Sequence, residues 1–245
     1  MHTVGILGGM GPAAGADFVR LFVQACAAQQ LQSGAAVRDQ GFPEHWLAQV
    51  PVPDRTLALV DTVQGSHQPL EPMLQTLGRL AAVGARSVAI ACNTAHAWHA
   101  SLQQRFPQVE LLHIAQETAR HLAKQGTQAV ALMATEGTYR VGLYEQAFGN
   151  AGLVCHLPTA LERARITEGI FEGVKAGDMA LAEACFGEVV LALHQRYGGA
   201  PIIMGCTEIP LALQHAHQVK HLQQLLLIDP AQVLAAALAQ RAYAA

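Results

Sequence analysis

The chain has 245 residues, 51% of them hydrophobic and 13% charged, with a formal net charge of −3. That balance describes a folded globular protein with a sizeable core, and it excludes both intrinsic disorder and the basic surface that a nucleic-acid partner demands. Membrane insertion is not expected either, because no apolar run reaches about 18 residues.

The first stretch, "MHTVGILGG", lacks a basic leader and a cleavage site and reads as a strand over 3–9. A helix follows over 12–30, opened by Pro12, whose missing N–H costs nothing at a helix start. The amphipathic stretch 71–85 reads as a second helix, with glycine near its end suited to a C-terminal cap. "SVAIAC" (87–92) is strand again, and "NTAHAWHASLQQRF" is helix. Apolar runs at 110–115, 128–134 and 201–206 repeat the strand pattern, with helices expected near 138–148, 162–194 and 230–244. Continuous apolar strands separated by helices imply an α/β fold with parallel sheets covered on both faces.

An internal duplication shows through the alternation. "VGILGGMGP" (4–12) resembles "VALMATEGT" (130–138), and each is followed much later by a strand ending in cysteine and threonine, "AIACNT" and "IIMGCT". The chain is therefore expected to form two pseudo-symmetric Rossmann-like domains, 1–113 with 225–245 and 114–224. Ligands in such sheets bind outside the carboxyl ends of the strands, so the expected active site is a cleft between the domains holding both cysteine-bearing ends. The last helix is expected to return to the first domain.

Five cysteines at irregular spacing do not make a disulfide framework, and a reduced cytoplasm follows. Cys92 and Cys206 each stand at a strand-to-helix turn, where free backbone N–H groups and the helix's positive end are expected to lower the thiol pKa. One such thiol would suggest a nucleophile. Two, from opposite halves, suggest a base and an acid on opposite faces of one carbon, which is what inverting a stereocentre needs. Cys26, Cys155 and Cys185 lie in helix or strand patterns without a polar turn and read as packing residues.

Taken together, "VGILGGMGP" (4–12), "PDRT" (53–56), "ACNTAH" (91–96), "ATEGT" (134–138), "EGVKAG" (172–177), "GCTEIPL" (205–211) and "LIDP" (227–230) resemble the aspartate/glutamate racemase family. The likeness is greatest to its aspartate racemase branch and runs nearly end to end. It implies a cofactor-independent racemase, usually dimeric, interconverting L- and D-aspartate with Cys92 and Cys206 as its two bases. Asn93, Thr94 and Thr207 are then donors to the substrate carboxylate. Met10 and Thr135 line the site, and Arg55 and Lys175 hold the side-chain carboxylate. Arg55 offers a bidentate fork and Lys175 a point charge. Glu208 replaces the histidine common after the second Cys-Thr pair of glutamate racemases, which favours the aspartate branch; it either orients a thiol or caps its helix.

Two departures bear on the substrate. Gly15 stands where relatives commonly carry threonine, and "EHWLAQVPV" (44–52) lacks their asparagine-rich run. Glutamate or broad-specificity racemase, maleate isomerase, hydantoin racemase, malonate decarboxylase and an inactive dicarboxylate-binding relative thus remain as alternatives. The Arg55/Lys175 pair speaks against hydantoins. No metal is expected, since the histidines of "HAHQVKH" (215–221) read as a solvated face, and His96 and His99, three apart on one helix, either flank the first site or, the favoured reading, pack. Nor is a nucleotide or pyridoxal cofactor expected. Gly9 and Gly11 are followed by Gly15 instead of a glycine at 14, which breaks the dinucleotide fingerprint, and no lysine stands in a phosphate cradle.

Overall fold

A computed structural model describes residues 1–60, 68–213 and 225–244. The histidine-rich stretch 215–221 lies outside the described residues. The chain divides into two compact units, Met1–Glu117 with Ala231–Ala245, and Thr118–Pro230.

The first unit begins with β1 (Val4–Gly8), α1 (Pro12–Gln32), β2 (His45–Gln49), α2 (Arg55–Val60) and α3 (Leu70–Ala82). It continues through β3 (Ser87–Ile90), a 3₁₀ turn at Thr94–Trp98, α4 (His99–Arg105), β4 (Glu110–Leu111) and the start of α5 (Ile114–Lys124). All strand pairs are parallel, in the order β2-β1-β3-β4. Strand alternation sorts the side chains onto two faces. Val4, Ile6, Ala89 and Ala91 join a buried cluster with Phe18 and Phe22 of α1, whereas Leu7, Val88 and Ile90 join one with Met73 and Leu77 of α3. The glycine expected to cap α3 is Gly84, with φ +88°, and the Ala85 N–H closes the turn on the Leu80 carbonyl at 3.1 Å.

The second unit repeats this plan. It holds β5 (Ala129–Ala134), α6 (Glu136–Arg140), α7 (Leu143–Asn150), β6 (Val154–His156), α8 (Ala160–Glu168), α9 (Met179–Arg196), β7 (Ile202–Gly205), α10 (Glu208–Leu213) and β8 (Leu227–Ile228). Its parallel order is β6-β5-β7-β8, the same pattern as the first sheet. After β8 the chain re-enters the first unit as α11 (Pro230–Tyr243), whose Leu234, Ala235 and Leu238 complete the cluster around Phe18 and Phe22. Among the described residues no helix is long and apolar enough to cross a membrane.

Several elements differ from expectation, each for a local reason. The strand expected over 110–115 pairs only at Glu110 and Leu111, because α5 begins at Ile114. The edge strands β2 and β6 were not anticipated. They are short and partly exposed, so neither presents a buried apolar run. The helix expected across 162–194 is interrupted by a π-helical turn at Gly169–Val174 and by Gly177, with φ +88°. Glycines permit that turn to press on α9. A Cβ on Gly173 would lie 2.7 Å from that of Ala182.

The start of α8 is fixed by a capping box: Thr159 Oγ1 accepts from the Glu162 N–H, and Glu162 Oε2 accepts from the Thr159 N–H at 2.7 Å. Glu162 also pairs with Arg196 of α9, which holds its carboxyl down at about 2. Thr159→Ala is expected to lower unfolding stability by about 1 kcal/mol with unchanged fold, measured by denaturant titration.

Candidate active site

In both units the strand beside the first strand runs into a buried cysteine. Cys92 lies just past β3 and is 6% exposed; Cys206 follows β7 directly and is also 6% exposed. Register makes the two places equivalent. Leu7 of β1 pairs with Ile90 of β3, and Ala134 of β5 with Gly205 of β7. Each cysteine therefore stands at the carboxyl end of a central parallel strand, the end at which such sheets bind ligands.

Around Cys206 the hydrogen bonding is specific. Its thiol donates to Glu208 Oε2 at 3.0 Å, and Thr207 Oγ1 donates to the same oxygen at 3.1 Å. Glu208 is itself 5% exposed, at the start of α10. Burial, then the Glu208 carboxylate, pushes the Cys206 thiol well above the ordinary thiol range, with the Lys175 ammonium pulling weakly the other way. This corrects the expectation of a lowered pKa at that turn. A six-residue helix start does not outweigh complete desolvation and an adjacent anion. Cys206 rests as a thiol with a proton acceptor in contact.

Cys92 is followed by Asn93 and Thr94, 2% and 5% exposed. Thr94 opens the 3₁₀ turn, in which the His96 N–H donates to the Asn93 carbonyl at 3.0 Å. Met10 belongs to the same buried apolar cluster as Cys92, and its carbonyl accepts from Arg55 Nη2 at 2.7 Å. Arg55 Nη1 donates to the Val52 and Pro53 carbonyls at 2.9 and 3.0 Å. The guanidinium is 9% exposed, pairs with no carboxylate among the described residues, and its buried Nε–H has no partner there. The guanidinium is thus a buried cation clasped by three backbone carbonyls.

The family model for Asp/Glu/hydantoin racemases matches residues 7–238. The chain belongs to the Asp/Glu/hydantoin racemase family. The broad specificity amino-acid racemase RacX of Bacillus subtilis is 29% identical over 155 residues, 62% of this chain and 63% of that relative's length. The structure of Picrophilus torridus aspartate racemase superposes with a TM-score of 0.79 at 26% identity, covering 99% of this chain and 94% of that one. Glutamate racemase RacE1 of Bacillus anthracis shares the fold, with a TM-score of 0.64 at 19% identity over 98% of this chain and 81% of its own. The two parallel α/β units are thus the racemase fold.

The other candidate residues of this family member have varied settings. Lys175 ends the π-helical turn, exposed, with its ammonium 4.4 Å from the Phe171 ring centroid. The turn itself fixes where Lys175 leaves the backbone, since the Lys175 N–H bonds back to the Ile170 carbonyl at 3.1 Å. Such turns are frequent at functional sites. Thr135 is buried and caps α6, accepting from the Thr138 N–H at 3.3 Å. Its hydroxyl is engaged in holding that helix.

The two departures from the family pattern meet in space. Gln49, at the end of β2, donates to the Pro12 carbonyl at 2.8 Å and occupies the room a Cβ on Gly15 would take. A threonine at 15 would displace it. The sequence does not connect these positions, because β2 is mixed and partly exposed and carries no apolar run to mark it as the strand beside β1.

The packing cysteines differ in character from Cys206. Burial pushes Cys26 and Cys155 up to about 12 and raises Cys185, and no acceptor carboxylate is hydrogen-bonded to any of them among the described residues. Among the described residues no group of three or more His, Cys, Asp or Glu side chains is placed to hold a metal ion.

Proposed function

We propose that this racemase interconverts L- and D-aspartate by cofactor-independent 1,1-proton transfer, as a cytoplasmic homodimer, with Cys92 and Cys206 as its two bases. The observation that carries the reading is the repeated device: each unit ends the same sheet position in a buried cysteine followed by hydroxyl or amide side chains. The Picrophilus torridus likeness supports aspartate as substrate.

In this mechanism the Cys206 thiol passes its proton to Glu208 and, as thiolate, removes the α-proton from one face of the bound amino acid. The Cys92 thiol returns a proton to the opposite face, and the reverse direction exchanges the roles. The α-carbon loses one C–H bond and gains another, leaving Glu208 protonated and Cys92 as thiolate. Glu208 then releases its proton to solvent and Cys92 takes one up, so protons balance without an oxidant or an electron sink. Asn93, Thr94 and Thr207 donate to the carboxylate as it gains enediolate charge, a contribution of about 10²–10³-fold per preorganised donor. Arg55 receives the side-chain carboxylate through its spare N–H groups, and Lys175 adds a second positive charge.

The direct test is the ¹H NMR spectrum of the purified protein with L-aspartate in D₂O, followed by chiral analysis. Loss of the α-proton signal together with appearance of D-aspartate is expected. An untouched α-proton overturns the assignment.

Broader substrate range is the second reading, favoured by the RacX likeness. A panel of neutral and acidic amino acids in the same assay separates it from aspartate specificity. Arg55→Lys supplies a finer check. Lysine keeps the charge but neither the fork nor the three-carbonyl clasp. KM for aspartate is expected to rise about tenfold or more, the value of a lost charged hydrogen bond, with a smaller effect on kcat and little change for neutral substrates.

A further inference from the structure

We propose that His96 is a positioning residue for Cys92, its imidazole Nδ1–H gripping the carbonyls of the turn that carries the thiol. The proposal rests on the reading of Cys92 as a base and adds a residue that sets it. His96 is 2% exposed, and its Nδ1 lies 2.9 Å from the Cys92 carbonyl and 3.2 Å from the Asn93 carbonyl. Both are acceptors only, so Nδ1 carries the proton. Nε2 is then the acceptor, and it is buried with no partner among the described residues.

That arrangement is not explained by packing. An apolar ring would fill the volume without leaving a polar nitrogen unsatisfied. What an imidazole adds here is the donor. The backbone N–H of His96 also reaches the Asn93 carbonyl at 3.0 Å, so one residue holds the turn by two N–H groups. A trans peptide carries its N–H opposite its C=O, and pinning the Cys92 carbonyl therefore also aims the Asn93 amide.

Neighbouring imidazoles fix the ring. His99 lies nearly parallel to His96, at 12° and 6.1 Å between centroids, and His113 lies 5.1 Å away. His99 is in turn tied through Nε2 to the Leu111 carbonyl at 2.7 Å. Burial holds His96 well below the ordinary imidazole range, with the neighbouring His113 and His99 adding to the effect, so the neutral donor persists through the working range of pH.

The test compares His96→Asn with His96→Leu and His96→Phe in the full-length protein. An asparagine side chain can place its amide nitrogen where Nδ1 stood; leucine and phenylalanine cannot donate. His96→Asn is expected to keep kcat within about threefold and to label with iodoacetamide at Cys92, read by peptide mass spectrometry, at the wild-type rate. The apolar variants are expected to lose kcat by about tenfold to a hundredfold, the scale of a slightly misplaced catalytic group. Their KM should stay within about twofold, and Cys92 labelling should change several-fold. Equal behaviour of the asparagine and apolar variants, whether all active or all impaired, overturns the proposal. If the apolar variants do not fold, ¹⁵N NMR of the wild-type imidazoles decides: a neutral Nδ1–H tautomer of His96 is expected, and an Nε2–H tautomer overturns it. Cys92→Ala is run alongside. Turnover there sinks the two-thiol reading, while the labelling comparison still judges His96.

Discussion

Cys92→Ala and Cys206→Ala are each expected to abolish racemisation of aspartate, with kcat falling by at least about 10⁴-fold. A positioned acid or base typically contributes about 10²–10⁴-fold, but here the loss compounds. Inversion needs one group to take a proton from one face and a second to deliver one to the other, and a single remaining thiol returns the proton to the face it came from. The variants are predicted to differ from dead protein in one respect. Each should retain slow exchange of the α-proton of one enantiomer with D₂O, without inversion, because one thiol still functions on its own face. ¹H NMR of L- and D-aspartate incubated separately with each variant reads this directly. The enantiomer that exchanges should swap between Cys92→Ala and Cys206→Ala. Substantial two-way turnover in either variant would remove that cysteine from the mechanism.

Glu208→Gln is expected to move two measurements in opposite directions. In the wild type the Glu208 carboxylate accepts from the Cys206 thiol and, after burial, is the main cause of its raised pKa. Glutamine removes the anion, so the thiol pKa falls towards the ordinary range and thiolate forms at lower pH. Labelling of Cys206 by iodoacetamide should therefore become faster at neutral pH. Turnover should nevertheless drop by about 10²–10³-fold, because glutamine cannot accept the thiol's proton during the step. A structural role for Glu208 would slow turnover without advancing the labelling curve. A static electrostatic role would accelerate both.

The fold was legible in the sequence where strands are central and buried. β1, β3, β5 and β7 are flanked on both sides and so read as unbroken apolar runs, and they are the strands that set the positions of Cys92 and Cys206. The edge strands β2 and β6 were illegible for the converse reason, since half of their surface meets solvent and their residues are mixed. The π-helical turn escaped because its cause is a contact distant in sequence, Gly173 against Ala182 of α9, which helical periodicity does not report. Site residues followed the same division. Cysteines at strand ends carry a local signature, whereas the carbonyl clasp on Arg55 depends on Met10, which is remote in the chain. The raised pKa of Cys206 could not be read from the turn's chemistry alone, because desolvation belongs to the folded surroundings.

The path of the backbone sets an order of assembly. Residues 118–230 form one uninterrupted stretch, whereas the other unit is made from both ends of the chain and needs Leu234 and Leu238 to cover Phe18 and Phe22. During synthesis the inserted unit can therefore mature while its host still has an open hydrophobic face, since domains fold as units as they emerge. The His2 amide bonds to the Ala242 carbonyl at 3.0 Å, and Arg241 reaches Glu110 at 2.8 Å, so the last helix works as a latch. Until the ribosome has delivered it, the face of the first sheet on which Phe18 and Phe22 pack lacks its final wall, whereas the cluster that holds Cys92, on the opposite face, draws on no residue of that helix.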